Sequence, residues 1–145
     1  MREETIKVIL LQPGKLAKTA EIDASLEGMQ RAVGGGLIEA VYPFEEEVCL
    51  VCNEEGKING MRPNRALYDE DHEMIDIICG PAFICDCCGE NFASLSDEQL
   101  EKYGKQFRFP ETFFRTGDGI KAIRKNTKSV CCARCFRFWM TWNWC

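Results

Sequence analysis

The sequence predicts an α+β domain, with a mixed or mainly antiparallel sheet of about five to seven strands and two helices. Three observations carry that prediction. Apolar, β-branched runs at residues 5–12 (TIKVILLQ), 48–52 (VCLVC) and 75–84 (IDIICGPAFI) are each too short for a helix and are bounded by Gly, Pro, Asn and Asp. The clearest helix begins at Ser96, where a complete start signal precedes an amphipathic pattern. Tight-turn sequences at Pro13-Gly14 and at Thr116-Gly117-Asp118-Gly119 join neighbouring runs as hairpins do.

Taken in order, residues 5–12 are apolar on both alternating faces, the pattern of a strand inside a sheet. Pro13-Gly14 supplies the fixed φ and the positive φ of a type II turn, so residues 18–22 return as the second strand. Asp23 or Ser25 can cap a first helix whose inward stripe is Leu26, Met29, Gln30 and Val33, ended by Gly34-Gly35-Gly36. Residues 37–44 read as a third strand, with Ile38, Ala40 and Tyr42 on one face, stopped by Pro43 and the solvated turn Glu45-Glu46-Glu47. The runs at 48–52 and 75–84 read as neighbouring core strands. Between them, the polar segment 57–74 (KINGMRPNRALYDEDHEM) is too rich in Gly, Pro, Asn and Asp to be other than structured loop. In the second helix Ser96 is the cap, Gln99 closes a capping box and Leu95 staples to Leu100. Leu100, Tyr103 and Phe107 form its buried stripe, and Glu98 with Lys102 and Glu101 with Lys105 are surface pairs. Phe113-Phe114-Arg115 and residues 120–123 close the fold as a hairpin.

A chain of 145 residues is one domain by length. Its core should bury roughly 68–70% of the surface of the unfolded chain, without help from disulfides. The domain is placed at residues 1–125, and 126–145 form an atypical basic extension rich in Cys and Trp. No basic segment followed by an apolar run opens the sequence, so the ten cysteines are expected to be reduced thiols in a cytoplasmic protein. No apolar run approaches the roughly 18–20 residues of a membrane span. The net charge of -5 conceals an asymmetry: Lys121, Arg124, Lys125, Lys128, Arg134 and Arg137 face no acid in residues 119–145, which leaves the body strongly acidic.

The succession IKVILLQPGK, ASLEGMQRAVGG, VCNEEGKINGMRPNRALYDED, IDIICGPAFI, GENFASLSDEQLEKYGKQF and PETFFRTGDGIKAI resembles the family called domain of unknown function 3846, over roughly residues 5–123. Its most specific segment is NEEGKINGMRPNRAL, followed by the strand ending at Cys79-Gly80. The resemblance implies a small bacterial or phage α+β protein carried on phages, plasmids or integrated elements, with no assigned activity or catalytic residues. After Ile123 the chain departs from the family pattern and continues as RKNTKSVCCARCFRFWMTWNWC.

Several constellations bear on function. Within the central segment, Asn64 and Arg65 can present a fork to an acidic partner or a phosphate; as scaffold, Asn64 would satisfy a turn and Arg65 would lie over apolar surface. Cys85 with Cys88 and Cys132 with Cys135 form two C-x-x-C pairs that together make a tetrahedral zinc set, although a helix and a hairpin intervene. Against it stands the role of free Cys as a small buried hydrophobe, as expected of Cys49, Cys52 and Cys79. His72, the only histidine, lies in the acidic run Asp69-Glu70-Asp71-His72-Glu73, which reads as a solvated turn. In the extension, Phe136, Phe138, Met140, Trp142 and Trp144 alternate with Arg137, Trp139, Thr141 and Asn143, a pattern for a strand added to the body, a sticky patch for a partner or a non-native extension from a divergent end; stacking on single-stranded nucleic acid ranks below the extension and the added strand.

No nucleophile is matched to a base anywhere in the chain, so binding is favoured over catalysis. The resulting expectation is an accessory protein that engages a protein partner, with no cofactor and no membrane. A zinc-stabilised nucleic-acid or protein adaptor built on Cys85, Cys88, Cys132 and Cys135 is the alternative.

Overall fold

The computed structural model describes residues 5–44, 46–69, 71, 73–87, 92–117 and 119–124. In chain order the elements are β1 (Thr5–Leu11), β2 (Lys18–Asp23), α1 (Leu26–Ala32), β3 (Ile38–Val41), β4 (Val48–Asn53), β5 (Pro63–Tyr68), β6 (Met74–Cys79), β7 (Ala82–Asp86), α2 (Asp97–Gln106), β8 (Glu111–Thr116) and β9 (Gly119–Arg124). An antiparallel five-stranded sheet in the order β2-β1-β7-β4-β3 is accompanied by two two-stranded ribbons, β5-β6 and β8-β9. The fold is α+β, as the sequence predicts.

Alternation along the central strands divides the core into two layers. Val48, Leu50 and Cys52 of β4 face the same side as Ile9, Leu11 and Ile84, where Leu95, Tyr103 and Phe107 of the α2 region and Leu67 and Ile78 of the β5-β6 ribbon cover them. Cys49 and Val51 face the other side with Ile6, Val8, Phe83 and Cys85, under Met29 and Val33. With both faces covered, β4 is buried throughout, which is why its sequence is continuously apolar rather than alternating.

Local signals place the helices. Ser25, not Asp23, caps α1: its Oγ accepts the Gly28 amide at 3.0 Å, while Asp23 accepts the Ser25 amide at 2.9 Å. Leu26 is 61% exposed, so the inward stripe of α1 reduces to Met29 and Val33. In α2 both halves of the capping box are formed, Ser96 with the Gln99 amide at 3.2 Å and Gln99 with the Ser96 amide at 2.9 Å. Glu101 pairs with Lys105 at 3.1 Å, but Lys102 reaches Glu46 at 3.6 Å rather than Glu98. Glu46 also accepts the Tyr103 hydroxyl. The turn before β4 is therefore tied to α2, and is not solely a solvated acidic run; Glu45 lies outside the described residues.

The central stretch differs most from expectation. Residues expected as loop contain a strand, β5, which pairs with β6. The expected single strand 75–84 is two strands, broken at Gly80, whose φ of 86° suits glycine and turns the chain out of one sheet into the other. Of these two strands, β7 alone joins the five-stranded sheet, where it pairs with β4. Pro63 is tolerated because it occupies the first position of β5.

Candidate functional site

The polar residues of the central segment point both ways, and those expected to meet a partner point in. Asn64 and Arg65 are fully buried. A break in register between Pro63 and Arg65 puts Asn64 at a bulge, where it clips two elements together. Its Nδ2 donates to Leu11 O and to Gly80 O, each at 2.9 Å. Its Oδ1 accepts Arg65 Nη1 at 2.8 Å. Arg65 donates from Nη2 to Lys15 O at 2.8 Å and from Nε to Phe107 O at 3.2 Å. Phe107 is the C-cap of α2, so the guanidinium lies where the helix leaves carbonyls without amide partners and where its dipole favours a cation. The exposed fork expected at Asn64 and Arg65 is thus corrected: both are internal braces joining β1, the β1-β2 turn, β5 and the end of α2. Asn53 acts similarly, donating to Val33 O at 3.2 Å and to Gly35 O, and accepting the Glu55 amide at 2.9 Å.

Cysteine chemistry is equally inward. Cys85 is fully buried on β7, with its Sγ 3.8 Å from that of Cys49 across the β4-β7 pair. The Cys49 thiol is pushed up by its contact with Cys85 and by burial, and the Cys52 thiol is pushed up to about 11 by burial. Cys79 is half-buried and also raised by burial. Cys88, Cys132, Cys135, His72, Glu70 and the aromatic alternation beyond residue 124 lie outside the described residues. Among the described residues no group of three or more His, Cys, Asp or Glu is placed to hold a metal ion. The acidic turn between β5 and β6 is organised by Asp69, whose Oδ1 accepts the amides of Asp71 and Glu73 at 2.9 and 3.0 Å.

The outward side of the same segment forms a groove of about 750 Å³. Its apolar lining is Met61, Met74, Ile75, Ile77, Phe113 and Ile120. Its charged lining is Lys57, Arg62, Asp76 and Arg115. One wall is the 57–63 segment with β6, and the other is the β8-β9 hairpin, held in place by packing of β8 beside β5. Ile75 is 57% and Ile120 41% exposed, and Ile58 on the adjoining loop is 85% exposed. Lys57 and Asp76 form an ion pair, and the Asp76 bond raises the Lys57 ammonium above its ordinary range. Sequence reasoning passed over Arg62, Met61 and the β6 residues. The available signal was the Met74-Ile75-Asp76-Ile77 run, where large apolar residues exceed what one buried face needs.

Fold and surface together define a small α+β protein with a shallow groove between two β ribbons. The chain belongs to the family described as Domain of unknown function (DUF3846), whose model matches residues 6–108. The match ends short of the expected 123, so β8 and β9, which supply the second wall of the groove, lie beyond it. No curated protein and no solved structure matches the chain. No helix among the described residues is long and apolar enough to cross a membrane.

Proposed function

We propose that this chain is a non-catalytic binding protein, an accessory of a phage, plasmid or integrated mobile element, that engages a protein partner through the groove between the β5-β6 and β8-β9 ribbons. The observation that carries the reading is the concentration of partly exposed apolar side chains along a concave surface: Ile75 and Ile120 are exposed and line it together with the methionines Met61 and Met74. A contiguous apolar patch framed by charge is the mark of an interaction surface rather than of scattered surface hydrophobes. Methionine, being unbranched and polarizable, lets such a surface adapt to its occupant. The groove's titratable groups support binding over catalysis, because Asp76 is committed to Lys57 and to the Ile77 amide at 2.8 Å, and burial disfavours the Cys79 thiolate.

The test is comparative capture from the source cells with the wild-type chain and with Ile75→Asp, a surface change expected to leave the melting temperature nearly unaltered. Loss of specific proteins from the variant's eluate, identified by mass spectrometry, supports the groove. Identical sets from two equally stable proteins would remove it as the interface.

A further inference from the structure

Three thiols meet on one face of the five-stranded sheet, and neither the groove nor the brace uses them. Cys49 of β4 and Cys85 of β7 are register partners, both fully buried, with their Sγ atoms 3.8 Å apart. Cys87, two residues beyond Cys85 and so on the same face, packs against the same apolar cluster and also hydrogen-bonds the Cys49 thiol. Of the three, Cys87 alone is half-buried and reaches solvent.

The backbone of the two strands already has the spacing of a disulfide. The Cys87 amide donates to Glu47 O at 2.9 Å, and in an antiparallel ladder hydrogen-bonded pairs recur at every second residue. Cys49 and Cys85, two positions along each strand, therefore form another such pair, with Cα atoms about 5.5 Å apart. Disulfides most often span about 5.5–6 Å between Cα atoms. Rotation of the side chains has only to bring the sulfurs from 3.8 Å to a bond of about 2.05 Å. Cys49 and Cys87 are diagonal neighbours, with Cα atoms about 7–8 Å apart, so a bond between them requires the backbone to shift. Cys87 lies just past the last residue of β7, where a shift disturbs the end of the ladder and not its middle. That bond suits an intermediate, and the direct pair suits the product.

We propose that Cys87, Cys49 and Cys85 form an oxidant-responsive relay, whose substrate is hydrogen peroxide and whose product is a Cys49–Cys85 disulfide joining β4 to β7. Peroxide transfers one oxygen to the Cys87 sulfur, which leaves a sulfenic acid and one water. The Cys49 sulfur attacks that of Cys87 and expels hydroxide, which departs as water with the Cys49 proton. The Cys85 sulfur then attacks that of Cys49 and displaces Cys87, which takes up the Cys85 proton and is a thiol again. Two thiols have been oxidised to one disulfide, and one peroxide has been reduced to two waters. Burial pushes the Cys87 thiol up to about 11, so at neutral pH it reacts slowly and the relay answers sustained exposure rather than traces. A bond here ties together two neighbouring strands inside the sheet, and a thiol reductant releases them.

The test uses the full reduced chain, treated with excess hydrogen peroxide, blocked with N-ethylmaleimide and digested without reduction. A protease that cuts before Asp86 separates Cys85 from Cys87, and fragment spectra locate the cross-link. The expected product is a Cys49–Cys85 pair, reversed by dithiothreitol, in a chain that melts about 5–10 °C above the reduced one. Cys87→Ser should slow its formation about tenfold or more, because the buried pair then has no accessible entry point. Cys87→Ala replaces that variant if serine lowers the melting temperature. Cys85→Ser should halt oxidation at a Cys49–Cys87 pair. A wild-type product that rests at Cys49–Cys87, joins any other pair or scrambles among several would overturn the proposal. So would an oxidised chain that melts no higher than the reduced one. Formation of the Cys49–Cys85 bond at an unchanged rate without Cys87 would overturn the relay as well.

Discussion

Replacing Arg65 by alanine isolates the brace at the centre of the molecule. The guanidinium is fully buried and bonds Lys15 O, Asn64 Oδ1 and Phe107 O at 3.2 Å or less. Hydrogen bonds to a charged group contribute about 1.5–3 kcal/mol each, and the stranded acceptors must be rehydrated. Lys15 O is only part-buried, so water can recover that site. Phe107 O and Asn64 Oδ1 are deeper, and loss of the aliphatic stem adds a cavity. The sum comes to about 3–5 kcal/mol. For a chain of this size that corresponds to a fall in melting temperature of about 10–20 °C. Far-UV circular dichroism with thermal and urea unfolding gives both numbers. Arg65→Lys should recover less than half of the loss, because an ammonium cannot reach three acceptors set in a plane. A change within about 0.5 kcal/mol for Arg65→Ala would refute the brace and return Arg65 to the list of surface residues.

Other expectations follow from the same geometry. The Tyr103 hydroxyl bond, followed by the Lys102 charge, holds the Glu46 carboxyl below its ordinary 4.5. That contribution is present above about pH 4.5 and is lost as pH falls through the lower folded value, so the stability gap between wild type and Tyr103→Phe should narrow as the pH is taken below 4.5 in acid unfolding curves. Protein purified with reductant should carry well under one zinc per chain by plasma mass spectrometry, because Cys85 would have to leave the core beside Cys49 to act as a ligand. One tightly held zinc, lost on Cys132→Ser with Cys135→Ser, would reverse that expectation. A chain stopped after Lys125 should unfold cooperatively in a calorimeter, since α2 and the β8-β9 hairpin are complete by Arg124; a broad, non-cooperative transition would place residues 126–145 in the core.

Elements with local signals were legible in the sequence. The Ser96 and Gln99 box, the Ser25 cap and the Pro13-Gly14 turn, where Gly14 has a φ of 75° and Lys15 N bonds Gln12 O at 3.1 Å, each depend on residues within a few positions of one another. β5 was not legible, because Asn64 and Arg65 are polar residue types that face inward and so mimic a loop. Nor was the break at Gly80: residues 75–84 are apolar throughout whether they lie in one sheet or two. The groove was invisible for a different reason. Its walls come from the 57–79 and 113–120 regions, and only packing of β8 beside β5 brings them together.

Arg62 and Arg65 show why a polar stretch rich in turn formers misleads as a pointer to function. NEEGKINGMRPNRAL holds Asn53, Gly56, Asn64 and Arg65 inside the protein, while Lys57, Met61 and Arg62 line the groove. Composition does not separate the two sets, since each contains cations and turn formers. Hydrogen bonding does: main-chain carbonyls hold Asn53 at the end of α1 and hold Asn64 and Arg65 at β1, the β1-β2 turn and the end of α2, whereas the Arg62 side chain has no such partner among the described residues. Two arginines three positions apart should therefore give opposite phenotypes. Arg62→Glu should reduce binding with stability intact, and Arg65→Ala should reduce stability first and binding only as the fold fails. The brace residues Asn64, Arg65 and Phe107 lie within the residues that the family model matches, whereas the β8-β9 wall of the groove lies beyond them.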